Sequence, residues 1–165
     1  MRAIKLVLLL AVALGLAACG SKFKTYRGPA VTQVLVMKNE RRMHLLHGAE
    51  VLKSVDIGLG FAPRGHKSFE GDGKTPEGVY VITHRNPDSR FHLSLGISYP
   101  NAADIEFARA ANMRPGGDIF IHGAPRNPAL RSRADWTEGC IAVTDREMER
   151  IYAMVRPGTP ILIYP

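Results

Sequence analysis

Two short stretches of this chain carry residues suited to nucleophilic chemistry. Ile119-Phe120-Ile121-His122-Gly123 ends an apolar run on a histidine and a glycine, and Trp136-Thr137-Glu138-Gly139-Cys140 sets a cysteine directly after a glycine. A thiol is a weak nucleophile until it becomes a thiolate; a histidine can take its proton, and a nearby helix N-terminus can favour the charge. Gly139 removes a side chain beside the sulfur, so a carbonyl can approach and backbone N–H groups can face a developing oxyanion. Thr137 adds a hydroxyl. On this reading His122 is the base and Cys140 a nucleophile with a pKa lowered from the ordinary ~8.5. The competing reading makes Cys140 a small core residue and His122 a structural histidine at a strand end.

Positioning these two residues requires a scaffold, and the scaffold reads as mostly strand. Residues 31–37 are apolar and β-branched, residues 39–41 read as a turn, and 43–46 and 51–57 flank a second hairpin turn at 47–50. Residues 79–83, 91–97, 119–121 and 160–164 read as further strands, with Gly96 weakening the end of its strand. Two helices are expected, over 102–111 and 145–156. The second has a capping box, Thr144 with Glu147, and an apolar face of Met148, Ile151, Tyr152 and Val155, and it stops at Pro157-Gly158. The pattern predicts a mainly β domain, a sandwich or barrel with about two packed helices. Two long loops, 58–78 and 123–138, remain; loops of that length in a compact domain are functional or disordered.

The whole chain is 165 residues, 45% apolar and 22% charged, which fits one globular domain and excludes a mostly disordered chain. Its formal charge is +7, of which Arg2 and Lys5 supply two. A basic balance allows nucleic acid, an anionic membrane or an acidic polymer as partner. Ser68 to Thr75 ends like a phosphate loop, but Ser68 replaces its first glycine and Pro76 interrupts the helix it needs. His44 and His47 face opposite sides of an extended segment, so no metal site is expected there.

Residues 1–18 read as a secretory signal peptide: a basic start, then an apolar stretch from Leu6 to Leu16. Leu16-Ala17-Ala18-Cys19 resembles the bacterial lipobox, which implies cleavage before Cys19, lipidation of that cysteine and a mature chain of 147 residues. Gly20 follows, without the Asp associated with inner-membrane retention, so the expected address is the periplasmic leaflet of the outer membrane. Residues 19–30 are then a lipidated tether and 31–165 the catalytic domain. The chain has two cysteines. With Cys19 lipidated, Cys140 has no disulfide partner, and a lone thiol in an oxidising compartment is either buried and inert or kept because it reacts.

His122-Gly123 followed by Thr137-Glu138-Gly139-Cys140, with Thr75-Pro76-Glu77-Gly78 upstream, resembles the L,D-transpeptidase catalytic domain, or YkuD, family over roughly residues 31–165. The resemblance implies Cys140 as nucleophile, His122 as base, the amides of Gly139 and Cys140 as oxyanion donors, and Thr137 and Gly123 as support. It implies peptidoglycan stem peptides as substrate, a thioester acyl-enzyme, and no metal or organic cofactor. It leaves open whether an amine or water resolves the thioester; the hydrolytic form would cut links, for instance to an attached lipoprotein. A non-catalytic wall-binding lipoprotein is the third reading. Two departures stand out: Glu138 replaces a histidine, and Ala142 replaces an arginine, of the common family pattern. Arg126, Arg131 and Arg133 are therefore candidates to hold a substrate carboxylate. His66 and His92 are candidates to line the cleft, and Trp136 has a core or a substrate-stacking reading. For a secreted lipoprotein, peptidoglycan fits the basic charge better than nucleic acid.

Overall fold

The computed structural model describes residues 21–165. Eight strands form one curled sheet in the order β3-β2-β1-β8-β4-β5-β6-β7. In chain order they are β1 Gln33–Met37, β2 Arg42–His47, β3 Glu50–Asp56, β4 Gly78–Asn86, β5 Ser94–Ile97, β6 Phe120–His122, β7 Ile141–Ala142 and β8 Pro160–Tyr164. Two α-helices, α1 Ala102–Ala110 and α2 Asp145–Met154, lie between β5 and β6 and between β7 and β8. The mainly β expectation with two helices is borne out. Among the described residues, no helix is long and apolar enough to cross a membrane.

Alternation builds the core. Val34 and Val36 on β1, Met43 and Leu45 on β2, and Ile161 and Ile163 on β8 all turn to one face and are buried. Ile82, Leu95, Ile121 and Ile141 continue that interior, and α2 closes it with Met148 and Ile151. Helix α2 starts as its sequence indicates: the Thr144 hydroxyl accepts from Glu147 N, and the Glu147 carboxylate accepts from Thr144 N. Helix α1 carries a second capping box, Asn101 with Asp104.

Three differences from the sequence reading matter for the site. The expected strand at 91–97 is shorter, because His92 takes a positive φ of 72° and Leu93 N donates to Phe91 O at 2.9 Å. Phe91 is thereby turned out of the ladder. The loop 58–78 is neither free nor disordered: Gly58 and Gly60 bridge to Ala142 and Thr137. Residues 21–30 lie against the domain rather than standing off it. Lys22 Nζ donates to Pro87 O at 2.7 Å, Lys24 pairs with Glu149 at 3.3 Å, and Phe23 packs on Tyr152. The expected signal peptide, residues 1–18, and Cys19 fall outside the described residues.

Candidate active site

Strand pairing brings His122 and Cys140 to one place. β6 and β7 are parallel, with Ile121 opposite Ile141 and His122 opposite Ala142. The two isoleucines are fully buried on the core side. Alternation then sends His122 and, one step before β7, Cys140 to the other face. Both line a cleft of about 420 Å³, together with Arg90, Phe91, Asp118 and Phe120.

His122 is buried and oriented. Its Nδ1 donates to Gly123 O at 2.8 Å, which puts the proton on Nδ1 and leaves Nε2 with its lone pair. Phe91 stacks on the ring at 4.4 Å between centroids and Trp136 meets it edge-on at 5.4 Å. Gly123 N donates back to Phe91 O at 2.9 Å, and Ala124 N donates to Asp145 Oδ1 at 2.8 Å, so the chain after the histidine is fixed to the start of α2.

The cysteine turn is equally determined. Thr137, itself buried, donates its hydroxyl to Cys140 O at 2.7 Å and accepts from Gly139 N at 3.2 Å. Gly139 has φ +136°, and a Cβ there would lie 2.6 Å from Lys74 O. The segment that precedes Thr75-Pro76 is thus the wall on which the cysteine turn is built. Asp72 shapes that wall by accepting from Ser68 N at 2.7 Å, Phe69 N at 3.1 Å, Lys74 N at 3.0 Å and Lys67 Nζ at 2.9 Å. Burial alone would raise the Asp72 pKa, but the three amides and Lys67 outweigh it and hold the carboxyl below its ordinary value.

Electrostatics depart from the sequence expectation. Burial pushes the Cys140 thiol up to about 11; a backbone hydrogen bond from Phe120 and the charge of Lys67 oppose this, while Asp118 and Glu138 add to it. Burial also lowers the pKa of His122, against its bond to Gly123. The pair therefore rests uncharged at neutral pH, thiol and imidazole. Between Cys140 and the Thr144 cap of α2 lie β7 and Val143. The thiol itself donates to Asp118 O at 3.5 Å.

Other candidates separate into groups. Trp136 serves His122 from one side and on the other lines a second cleft of about 360 Å³, with Arg131, Arg133 and Ala142. Arg131 and Arg133 are thus on the far side of Trp136 from the sulfur, and Arg131 Nε is bound to Pro125 O at 3.1 Å. Arg126 Nε donates to Arg90 O at 2.9 Å and so braces the cleft rim. Neither His66 nor His92 lines the cysteine cleft. His66 contacts Glu77 N and Asp104, and His92 Nε2 lies 3.0 Å from Glu149 Oε1. The Gly139 amide, expected to donate to an oxyanion, is already paired with Thr137. The sequence reading missed Arg90, Phe91, Asp72 and Asp135. Asp135 ties Arg41 and Leu59 N to the loop before Trp136. Only Asp72, in an Asp-Gly turn signature, carried a local signal.

Comparison with known proteins identifies the family and the fold. The profile of the L,D-transpeptidase catalytic domain, YkuD, matches residues 32–163. A curated relative named "Putative L,D-transpeptidase YafK", from Escherichia coli K12, is 28% identical over 146 residues, covering 80% of this chain and 53% of the relative. Among solved structures, the helical cell shape determining protein Pgp2 of Campylobacter jejuni superposes with a TM-score of 0.62 at 25% identity, over 91% of this chain and 53% of that one. An L,D-transpeptidase from Mycobacterium smegmatis shares the fold, with a TM-score of 0.55 at 17% identity, over 82% and 59%. The chain spans about half the length of the curated relatives that it matches. With the profile covering nearly all of the described domain, this chain belongs to the L,D-transpeptidase catalytic domain (YkuD) family.

Proposed function

We propose that the protein is a periplasmic cysteine enzyme, an L,D-transpeptidase, that acts on peptidoglycan stem peptides. The observation that carries the reading is the shared cleft of Cys140 and His122, with the His122 tautomer set by Gly123 so that Nε2 is the nitrogen able to take a proton. His122 Nε2 accepts the thiol proton as Sγ attacks the carbonyl of the third residue of a tetrapeptide stem. The C–S bond forms, and the oxyanion is held by the Cys140 amide. Collapse breaks the amide bond, and the departing D-alanine amine takes the proton from His122. The resulting thioester is resolved by an amine of a second stem or of a lipoprotein lysine.

Lipidation of Cys19 would anchor this domain at the inner leaflet of the outer membrane, facing its polymeric substrate. The likeness to Pgp2, a cell shape determining protein, supports a role in cell-wall biogenesis and shape. Incubation with purified tetrapeptide-bearing muropeptides, followed by mass analysis, tests the proposal. Cross-linked dimers or exchanged terminal D-amino acids are expected. Tripeptides alone would assign hydrolysis of the same acyl-enzyme, and no product would leave a wall-binding lipoprotein.

A further inference from the structure

We propose that His66 is a positioning residue for the Cys140 turn and that it acts only as a neutral ring; the inference rests on the reading of Cys140 and His122 as the reacting pair. His66 Nδ1 accepts from the backbone N–H of Glu77 at 3.0 Å, and Nε2 lies 3.1 Å from Asp104 Oδ1. A donor facing Nδ1 requires a lone pair there, so the proton sits on Nε2 and is given to Asp104. Asp104 is itself buried in the first turn of α1, where it accepts from Asn101 N at 2.8 Å and from the Tyr80 hydroxyl at 3.0 Å. The carboxylate is fixed, and through it the ring.

What the ring holds is the Thr75–Glu77 turn. From the other side Lys38, a fully buried lysine, donates to Thr75 O at 2.9 Å, Gly65 O at 2.7 Å and Glu77 Oε1 at 2.8 Å. The turn passes this order on. Thr75 Oγ1 accepts from Gly60 N at 3.1 Å, Gly60 bridges to Thr137, and the Thr137 hydroxyl holds Cys140 O. Lys74 O lies directly against Gly139. A shift of this turn therefore moves the nucleophile.

The clamp works only with a neutral ring. An imidazolium carries N–H on both nitrogens, so the Glu77 N–H would face another N–H and that bond is lost. The groups around the ring are Asp104 from α1, Tyr80 from β4, Tyr99 edge-on at 6.4 Å, and the Glu77–Lys38 pair across the turn. Asp104 keeps the charged ring in place while its other nitrogen repels the turn. A neutral ring is therefore what this clamp on the wall behind Gly139 requires.

The test uses the purified full-length protein and three variants, His66→Asn, His66→Gln and His66→Ala. Asn presents an oxygen about where Nδ1 stands and Gln an amide about where Nε2 stands, so the two separate the Glu77 bond from the Asp104 bond. Turnover of tetrapeptide-bearing muropeptides, alkylation at Cys140 by iodoacetamide read by peptide mass, and melting temperature are measured against pH. His66→Ala and His66→Gln should lose on the order of 10- to 100-fold in kcat, with KM within about threefold, the scale of a misplaced reacting group. His66→Asn should recover most of kcat, since its oxygen can accept from Glu77 N. Equal kcat in the Gln and Asn variants would overturn the proposal. If the wild type itself turns over no muropeptide, the functional reading fails. The alkylation series then still decides: equal Cys140 rates in wild type and His66→Gln would overturn the positioning role.

Discussion

Alkylation of Cys140 against pH should inflect near 11, well above the ordinary thiol range, because burial dominates its neighbours. At neutral pH a thiol held there carries about a hundredth of the thiolate of an ordinary one, so iodoacetamide should label it about a hundredfold more slowly than a solvated cysteine. His122→Ala should leave the inflection almost unmoved, since the ring is already uncharged where the thiol titrates. The sign extends to stability. The folded state favours the protonated thiol more than the unfolded state does, so stability should fall as pH rises from about 9 to about 11. The assay is the pseudo-first-order rate of Cys140 modification from pH 6 to about 11.5, with melting temperature across the same range. An inflection at or below 9 would refute the claim that desolvation sets this thiol.

Three further outcomes follow from the same contacts. Gly139→Ala forces a side chain onto φ +136° and against Lys74 O, so it should cost about 1–3 kcal/mol of stability in chemical denaturation and at least tenfold in turnover; unchanged turnover would show that the turn can move freely. Asp72→Asn should destabilise the fold at neutral pH but lose its effect in acid. The native carboxyl titrates below 3.8, so its contribution is present above that value and lost as pH falls through the lower folded one; parallel denaturation curves at pH 7 and about pH 2.5 check this. Cys19→Ser should move the protein from the membrane fraction to a soluble or unprocessed form, and a wild type found wholly in the soluble periplasm would rule out lipidation.

Much of the scaffold was legible because it obeys simple periodicities. The strand at 160–164, the turn at 39–41 and both helices follow from alternation, from apolar positions at i, i+3, i+4 and i+7, and from the Thr144 cap. The pairing of His122 with Cys140 was legible from residue types next to glycines. What failed was whatever depends on a partner distant in sequence. The two residues of β7 are too few to show a period, yet their parallel pairing with β6 places Cys140 beside His122 in one cleft. Phe91 looked like strand until the positive φ of His92 turned its ring onto His122. The arginines after His122 looked equivalent, but Trp136 separates two of them from the sulfur. The thiol pKa depends on the same kind of contact: the neighbours in sequence acidify, whereas the enclosure that desolvates Cys140 is tertiary.

The central claim is that Cys140 is the nucleophile and His122 its base, and turnover of tetrapeptide-bearing muropeptides by wild type, Cys140→Ala, His122→Ala and the double variant tests it most directly. Turnover should be almost abolished without Cys140, should fall by on the order of 10²–10⁴ without His122, and should be little worse in the double variant than in the worse single, because the two act as one unit. Intact mass should show an acyl adduct in the wild type that is missing when Cys140 is alanine. Turnover by Cys140→Ala at near wild-type rate would contradict the account.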